Sequence, residues 1–587
     1  MTGHRSWPLP IRILLLIILT QALGLLLLHQ AIEFNFWPNT QPQWLFSLYS
    51  MTIAGPSLLL LLGGQSPITL NLRYVLAASA LLGLLGYYTG SQAIPYPLVQ
   101  FAPLAIIYSG SYIFMAFLLL IYSKSLIKNN NLIYSNLYND SFSSFFTLAL
   151  SLLFTVCVWG LLMLWAVLFQ ALNISFFFDL FTTPGFYYPV LTAANGFGIR
   201  LFDQSSQFLE TINTILRTLV KYLLLILTAI SLLFLCTLPF TGLDPLWNSG
   251  GSLLVLWIQA LLLFFANLVY QDKPNQQIYS VLQHRIIYFG LAVLPIYSAI
   301  SCYGLWLRID QYGLSLGRLW GGLIWFVLLL CSVAYTLGIS RSRDRWLNSL
   351  SWINVRLGLV ILGLLILANS PLLDFRKLTV ASQIERFEQS GRNIENLDIR
   401  YFKNDLARPG YLAIQSIKQN ATPSETLLII RINALYFGHE LKSDQDNQTT
   451  NRAALLASLK IPQDHSDPEL VEKLLHDLSS EDNKMTSLKD LVLRPIDLNE
   501  DGQMEYLLIR QFNLSQLNTT SRLDLYSHEH NQWVLHRLLP VQYTQEHLSQ
   551  VLEEANAGNI EVQPNDWLTL RIGQSTFAVF PKRKGKP

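Results

Sequence analysis

Apolar residues fill the first 371 positions in long unbroken runs, whereas the rest of the chain is polar with short apolar patterns. Ten runs are long and apolar enough to cross about 30 Å of hydrocarbon at about 1.5 Å per helical residue. They lie near 11–30, 43–63, 72–89, 100–123, 144–172, 213–240, 251–271, 285–307, 317–340 and 352–370. An eleventh, Gly185 to Leu201, is shorter and holds Pro189, Asn195 and three glycines, so it is either a short span or a re-entrant segment. The last long run ends in ILANSPLLDFRKLTVASQ (366–383), which divides the chain into residues 1–371 and 372–587.

Beyond Asp374 the period changes. TVASQIERFEQSG and Leu397 to Gln419 carry helical spacing, with Gly391 as C-cap of the first. Ser424 to Phe437 and Pro468 to Leu478 predict further helices, and KSDQDNQTTNR (442–452) a polar loop. From Leu491, two-residue alternation predicts strands in LVLRPI, MEYLLIR, RLDLYS, WVLHRL, WLTLRI and STFAVFP, with a helix over Thr544 to Glu554. The predicted fold class is mainly α: a polytopic helical membrane domain of about eleven transmembrane helices, then a soluble α+β domain.

Charge orients this arrangement. With eleven helices and the amino terminus inside, the inner loops collect 14 of the 16 Lys and Arg that precede residue 372, leaving only Arg308 and Arg318 outside. Without the helix at 185–201, the cluster RSRDR (341–345) would fall outside, so the charge bias favours counting it. An odd number of spans then puts the C-terminal domain in the periplasm. Arg5 and Arg12 before Ile13 to Leu28 resemble a signal peptide, but no small-residue cleavage site follows, so this reads as a retained first helix.

Composition narrows the class further. The chain is 51% hydrophobic and 13% charged, outside the range of soluble globular proteins. After residue 371 there are 24 Lys and Arg against 29 Asp and Glu, an acidic balance that argues against nucleic acid as a partner. The expected partners are the lipid bilayer and an anionic lipid or envelope component. All four cysteines lie in apolar runs and cannot staple the soluble domain.

Candidate chemistry is sparse. The spans hold essentially no acid or base at mid-depth, which weighs against a proton-coupled transporter. Gln259 and Asn267, the most polar residues of their run, read as inter-helix hydrogen bonders. In RIDQYGLSLGR, which also holds Asp310, Arg308 and Arg318 break the positive-inside trend. They either pair locally with each other or with loop carbonyls, or bind an anion such as a lipid phosphate. Asp497, Asn499, Asp501 and Glu505 in DLNEDGQME space oxygen ligands as the start of a calcium loop does, making calcium the one candidate cofactor. Leu508 stands where an EF-hand needs its last carboxylate, and Asp501-Gly502 between strands is also an ordinary turn. His528 and His530 read as a solvated hairpin tip rather than a metal pair. No catalytic constellation is recognisable.

Several stretches resemble a family of bacterial inner-membrane proteins, the domain of unknown function numbered 4153. They are PFTGLDPLW (239–247), LRIDQYGLSLGR (307–318), SPLLDFRKLTVASQ (370–383), DLNEDGQMEYLL and GNIEVQPNDWLTLRIG (558–573). The likeness is clearest from Phe181 to Gln383, with weaker matches toward the C-terminus and no recognised motif in the first four helices. It implies a Gram-negative inner-membrane location and a helical domain with a soluble appendage, and it supplies no catalytic residues.

The sequence thus predicts a non-catalytic envelope role, in which the periplasmic domain binds a ligand or partner and the membrane domain anchors it or handles a lipid. Two other classes stay open. One is a lipid-linked glycosyltransferase or ligase, with Glu33 as the acid of the first outer loop, and the other is a transporter or flippase.

Overall fold

The computed structural model describes residues 10–429 apart from 64–67, 97, 244–245, 247–250, 271–277, 343–346, 393–396 and 422–427. Beyond these it describes 432, 435–436, 459–460, 468–479, 488–498, 503–513, 519–529, 532–540, 560–563, 569–572 and 575–580. The loop at 442–452 and the helix expected over 544–554 lie outside the described residues. The chain forms two units, the first covering 1–383 with 404–410 and the second 384–403 with 411–587.

In the first unit the apolar runs are helices: α1 (Ile11–Glu33), α2 (Pro42–Leu62), α3 (Ile68–Ser91), α4 (Phe101–Asn129), α5 (Tyr134–Gln170), α6 (Phe176–Thr182), α7 (Pro184–Asp203), α8 (Ser206–Thr241) and α9 (Ser252–Tyr270). They continue as α10 (Val281–Ala292), α11 (Leu294–Tyr312), α12 (Leu316–Ser342), α13 (Leu347–Ala368) and α14 (Phe375–Gln389). Among the described residues, ten segments are long and apolar enough to cross a membrane, with α10 and α11 counting as one segment broken at Val293 ahead of Pro295. Leu84, Ile106, Leu161 and Leu233 stand exposed on the helix exteriors, as in a bundle solvated by hydrocarbon.

The doubtful run at 185–201 is one continuous helix, α7, whose 20 residues reach about 30 Å. It runs antiparallel to α1, with His29 against Tyr187 and Tyr188 at one end and Ile18 against Gly196 nearer the other. On its other side it meets α5, where Trp159 contacts Tyr187 and Ser151 donates to Asn195 Oδ1 at 2.5 Å. The polar residues that lower its hydropathy are thus satisfied inside the bundle, Thr192 through a 2.7 Å bond to Tyr188 O.

α2 and α3 approach closely and antiparallel. A Cβ on Gly86 would lie 2.8 Å from Phe46 O, and one on Gly90 would strike Pro42 O. Farther along the chain, Gln259 of α9 donates to Ser298 of α11 and Ser332 of α12, each at 2.6 Å, and to Leu328 O at 3.2 Å. These are the inter-helix bonds anticipated for it.

In the second unit, Gly391 adopts φ +70 just past α14, the left-handed C-cap its position predicts. The segment expected as one helix over 397–419 is two, α15 (Ile399–Asn404) and α16 (Ala407–Gln419). Pro409 explains the break, because its ring is tolerated in the first turn of a helix and not in its interior. Ala407 takes φ +51 at the junction. The described residues of 424–437, namely 428–429, 432 and 435–436, are helical.

The six predicted strands form, joined by two short ones. In chain order they are β1 (Leu459–Lys460), β2 (Leu488–Ile496), β3 (Glu505–Asn513), β4 (Thr519–Glu529), β5 (Gln532–Pro540), β6 (Ile560–Gln563), β7 (Thr569–Ile572) and β8 (Ser575–Phe580). The sheet order is β1-β2-β3-β4-β5-β8-β7-β6, antiparallel except for the parallel β1–β2 pair. Helix α17 (Pro468–Ser479) lays Leu470, Leu474, Leu475 and Leu478 on one face, against Leu508, Tyr526 and Trp533. Leu507, Ile509, Leu523 and Leu525 point to the other face, as the two-residue period requires.

Candidate functional site

Arg308, Asp310 and Arg318, singled out from sequence, lie at the end of α11 and the start of α12. Arg318, in the first turn of α12, donates to Gly313 O at 2.7 Å and Tyr312 O at 3.5 Å, and stacks 5.4 Å from the Tyr312 ring. Its positive charge sits at the carbonyl end of α11, where a cation is favourable. Arg308 lies over the same ring at 6.0 Å, and Asp310 is exposed two residues on. The stretch 370–383 packs against this turn: Ser382 Oγ accepts from Leu314 N at 3.1 Å, and Gln383 donates to Leu314 O at 2.7 Å. Asp374 caps α14 through Arg376 N at 2.9 Å and accepts from Tyr88 of α3 at 2.6 Å.

In the second unit, Glu505 turns into the 497–505 loop and accepts from Leu498 N at 2.7 Å. Asp497 is half-buried, while Asn499 and Asp501 lie outside the described residues. Among the described residues no group of three or more metal-ligating side chains occurs. His528 is exposed on the β4–β5 hairpin and packs edge-on against Trp533 at 5.1 Å, and His530 lies outside the described residues. Glu33 ends α1 with a 3.8 Å contact to His29.

A cavity of about 320 Å³ opens among α4, α5, α9, α12 and α13. Leu118, Ile121, Leu137, Leu263, Leu357 and Ile361 give it an apolar wall. Its polar groups are gathered on Asn267, whose Oδ1 accepts from Tyr134 at 3.0 Å, Tyr335 at 3.0 Å and Asn354 at 2.5 Å. Asn267 Nδ2 returns a bond to Tyr335 Oη at 2.7 Å, and Tyr335 reaches Asn354 Oδ1 at 2.6 Å. No side chain lining this space carries a formal charge. The cluster sits near the C-terminal ends of α9 and α12 and the N-terminal ends of α5 and α13, the same end of the bundle as Lys128 and Arg341.

Beside it lies a charged group. Lys124 of α4 is 2% exposed and donates to Ser144 of α5 at 2.8 Å. The carboxylates of Asp203 and Asp140 act on it through space.

The sequence model of a family described as a domain of unknown function, DUF4153, matches residues 14–417. The chain belongs to the DUF4153 family. No curated protein and no solved structure matches it. The DUF4153 match begins in α1, so it takes in the first four helices, where no motif was recognisable, and it ends before the sheet. It spans the whole cavity and its polar cluster. With its ten membrane-length segments, this DUF4153 member is a multi-pass membrane protein.

Sequence reading missed two of these features. It placed Lys124 and Asp140 in a loop, whereas α4 and α5 run on until only residues 130–133 separate them. It noted Asn267 but had no means of pairing it with Asn354, 87 positions away. The available signal was the polar face of α5, where Tyr134, Tyr138 and Ser141 recur at helical spacing.

Proposed function

We propose that the membrane domain holds an amphipathic, lipid-like molecule, with its polar end at the Asn267 cluster and its chain along the wall formed by α4, α9 and α13. The cavity carries this reading: its lining is mostly apolar and uncharged, the hydroxyls of Tyr122, Tyr138 and Ser141 are spent on backbone carbonyls, and the remaining amides and hydroxyls gather at Asn267, which fits a molecule with one wet end. The role is non-catalytic and belongs to the bacterial inner membrane, with the amino terminus in the cytoplasm and the C-terminal unit in the periplasm. Support for that orientation comes from the concentration of Lys and Arg at the end of the bundle that holds the cluster. The unbroken α7 supports the odd number of spans.

The test is lipid retention. Full-length protein purified in mild detergent is analysed by native mass spectrometry, beside Asn267→Leu and Leu263→Trp. The wild type is expected to keep a bound lipid that both variants lose at least about tenfold, the effect of about 1.4 kcal/mol. Equal retention by all three would overturn the assignment.

A further inference from the structure

A lysine near a helix end in a membrane ordinarily extends its amine to water. Lys124 does the reverse. Its side chain is enclosed, and its Nζ is fixed on the Ser144 hydroxyl of the neighbouring helix. Among the described residues this is its one hydrogen-bond acceptor, which leaves most of an ammonium's three donors unserved, and a buried charge held that way is costly.

The surroundings continue the chemistry. On α5, Asp140, Ser144, Thr147 and Ser151 recur at spacings of four, three and four, so they form one polar seam along the helix. The three hydroxyl residues are buried, and Thr147 Oγ1 and Asp140 Oδ2 are enclosed with no hydrogen-bond partner among the described residues. The seam ends at Ser151, bonded to Asn195 of α7, about 16 Å along the helix from Asp140. The charged groups around Lys124 are Asp140 on α5, Asp203 and Arg200 on α7, and Lys128 on its own helix. On α13, Arg356 is exposed and stacks over Trp352 at 3.5 Å.

We propose that Lys124 is a proton-exchanging site, which gives the membrane domain a protonation-linked step of the kind that proton-driven transport uses. In that step an Nζ–H bond breaks and the proton passes to water, leaving a neutral amine held on the Ser144 hydroxyl, and uptake of a proton from water reverses it, with no oxidant or other reactant. The inference does not depend on the cavity's occupant.

The experiment follows thermal unfolding of the full-length protein in detergent by tryptophan fluorescence, from about pH 6 to about pH 9. Wild type is compared with Lys124→Met and with Arg73→Met, which removes an exposed charge from α3, away from the groups around Lys124. The gap between wild type and Lys124→Met is expected to change by about 2 °C or more across the range, while the Arg73→Met gap stays constant. Parallel curves for Lys124→Met would overturn the proposal and leave Lys124 as a structural tie to Ser144. If Lys124→Met does not fold, solid-state nitrogen NMR of wild-type protein labelled at lysine Nζ decides. A signal that passes between ammonium and amine positions over the same range supports the site, and ammonium signals throughout overturn it.

Discussion

At the scale of single residues, buried polar groups define this molecule, because each must find a partner within the bundle or the sheet. The second unit offers the sharpest case. Arg510 of β3 and Asp524 of β4 form an ion pair on the face that α17 covers, with side chains 4% and 0% exposed. Removing one partner strands the other charge in the core. Asp524→Ala is therefore expected to destabilise the second unit by about 3–5 kcal/mol. Replacing both partners together, Arg510→Met with Asp524→Leu, should cost much less. Unfolding of the full chain monitored by tryptophan fluorescence checks this, and equal losses for the single and double variants would refute it.

At the scale of elements, what the sequence made legible depended on how local the cause was. Each strand from β2 to β5 follows from alternation within its own few residues, and their positions match the predicted segments. Gly391 and Pro409 act locally too, although the break that Pro409 imposes between α15 and α16 was read through as a single helix. α7 was ambiguous because hydropathy counts Asn195 and Thr192 as losses, while the bonds that offset them come from Ser151 on another helix and from the backbone one turn earlier. The polar cluster was illegible for the same reason, since each of its members has its partners on other helices. Close helix contact supplies a prediction at this scale. Gly90→Leu forces its side chain into Pro42 O and should separate α2 from α3, lowering the thermal midpoint by several degrees. Gly110→Leu, where no atom lies within 4 Å of the added Cβ, is the control and should leave it unchanged.

At the scale of the whole molecule, orientation follows from counting. Reporters active only in the periplasm or only in the cytoplasm, fused after Lys128, Arg345 and Pro587, should read cytoplasm, cytoplasm and periplasm. A cytoplasmic reading at Pro587 would mean an even number of spans and would remove the periplasmic role proposed for the sheet. The DUF4153 match, which stops at residue 417, takes in the membrane part and the first helices after it. The cavity's walls come from widely separated parts of that matched stretch, between Leu118 and Ile361. Tyr134 enters the membrane long before Asn267, and Asn354 arrives on the last apolar helix. During synthesis the hydroxyls and amides of the early helices therefore wait in lipid without their final acceptors. A chain halted before Leu347 would lack Asn354, Leu357 and Ile361, so both the polar cluster and the cavity wall close only once the last membrane-length helix has been made.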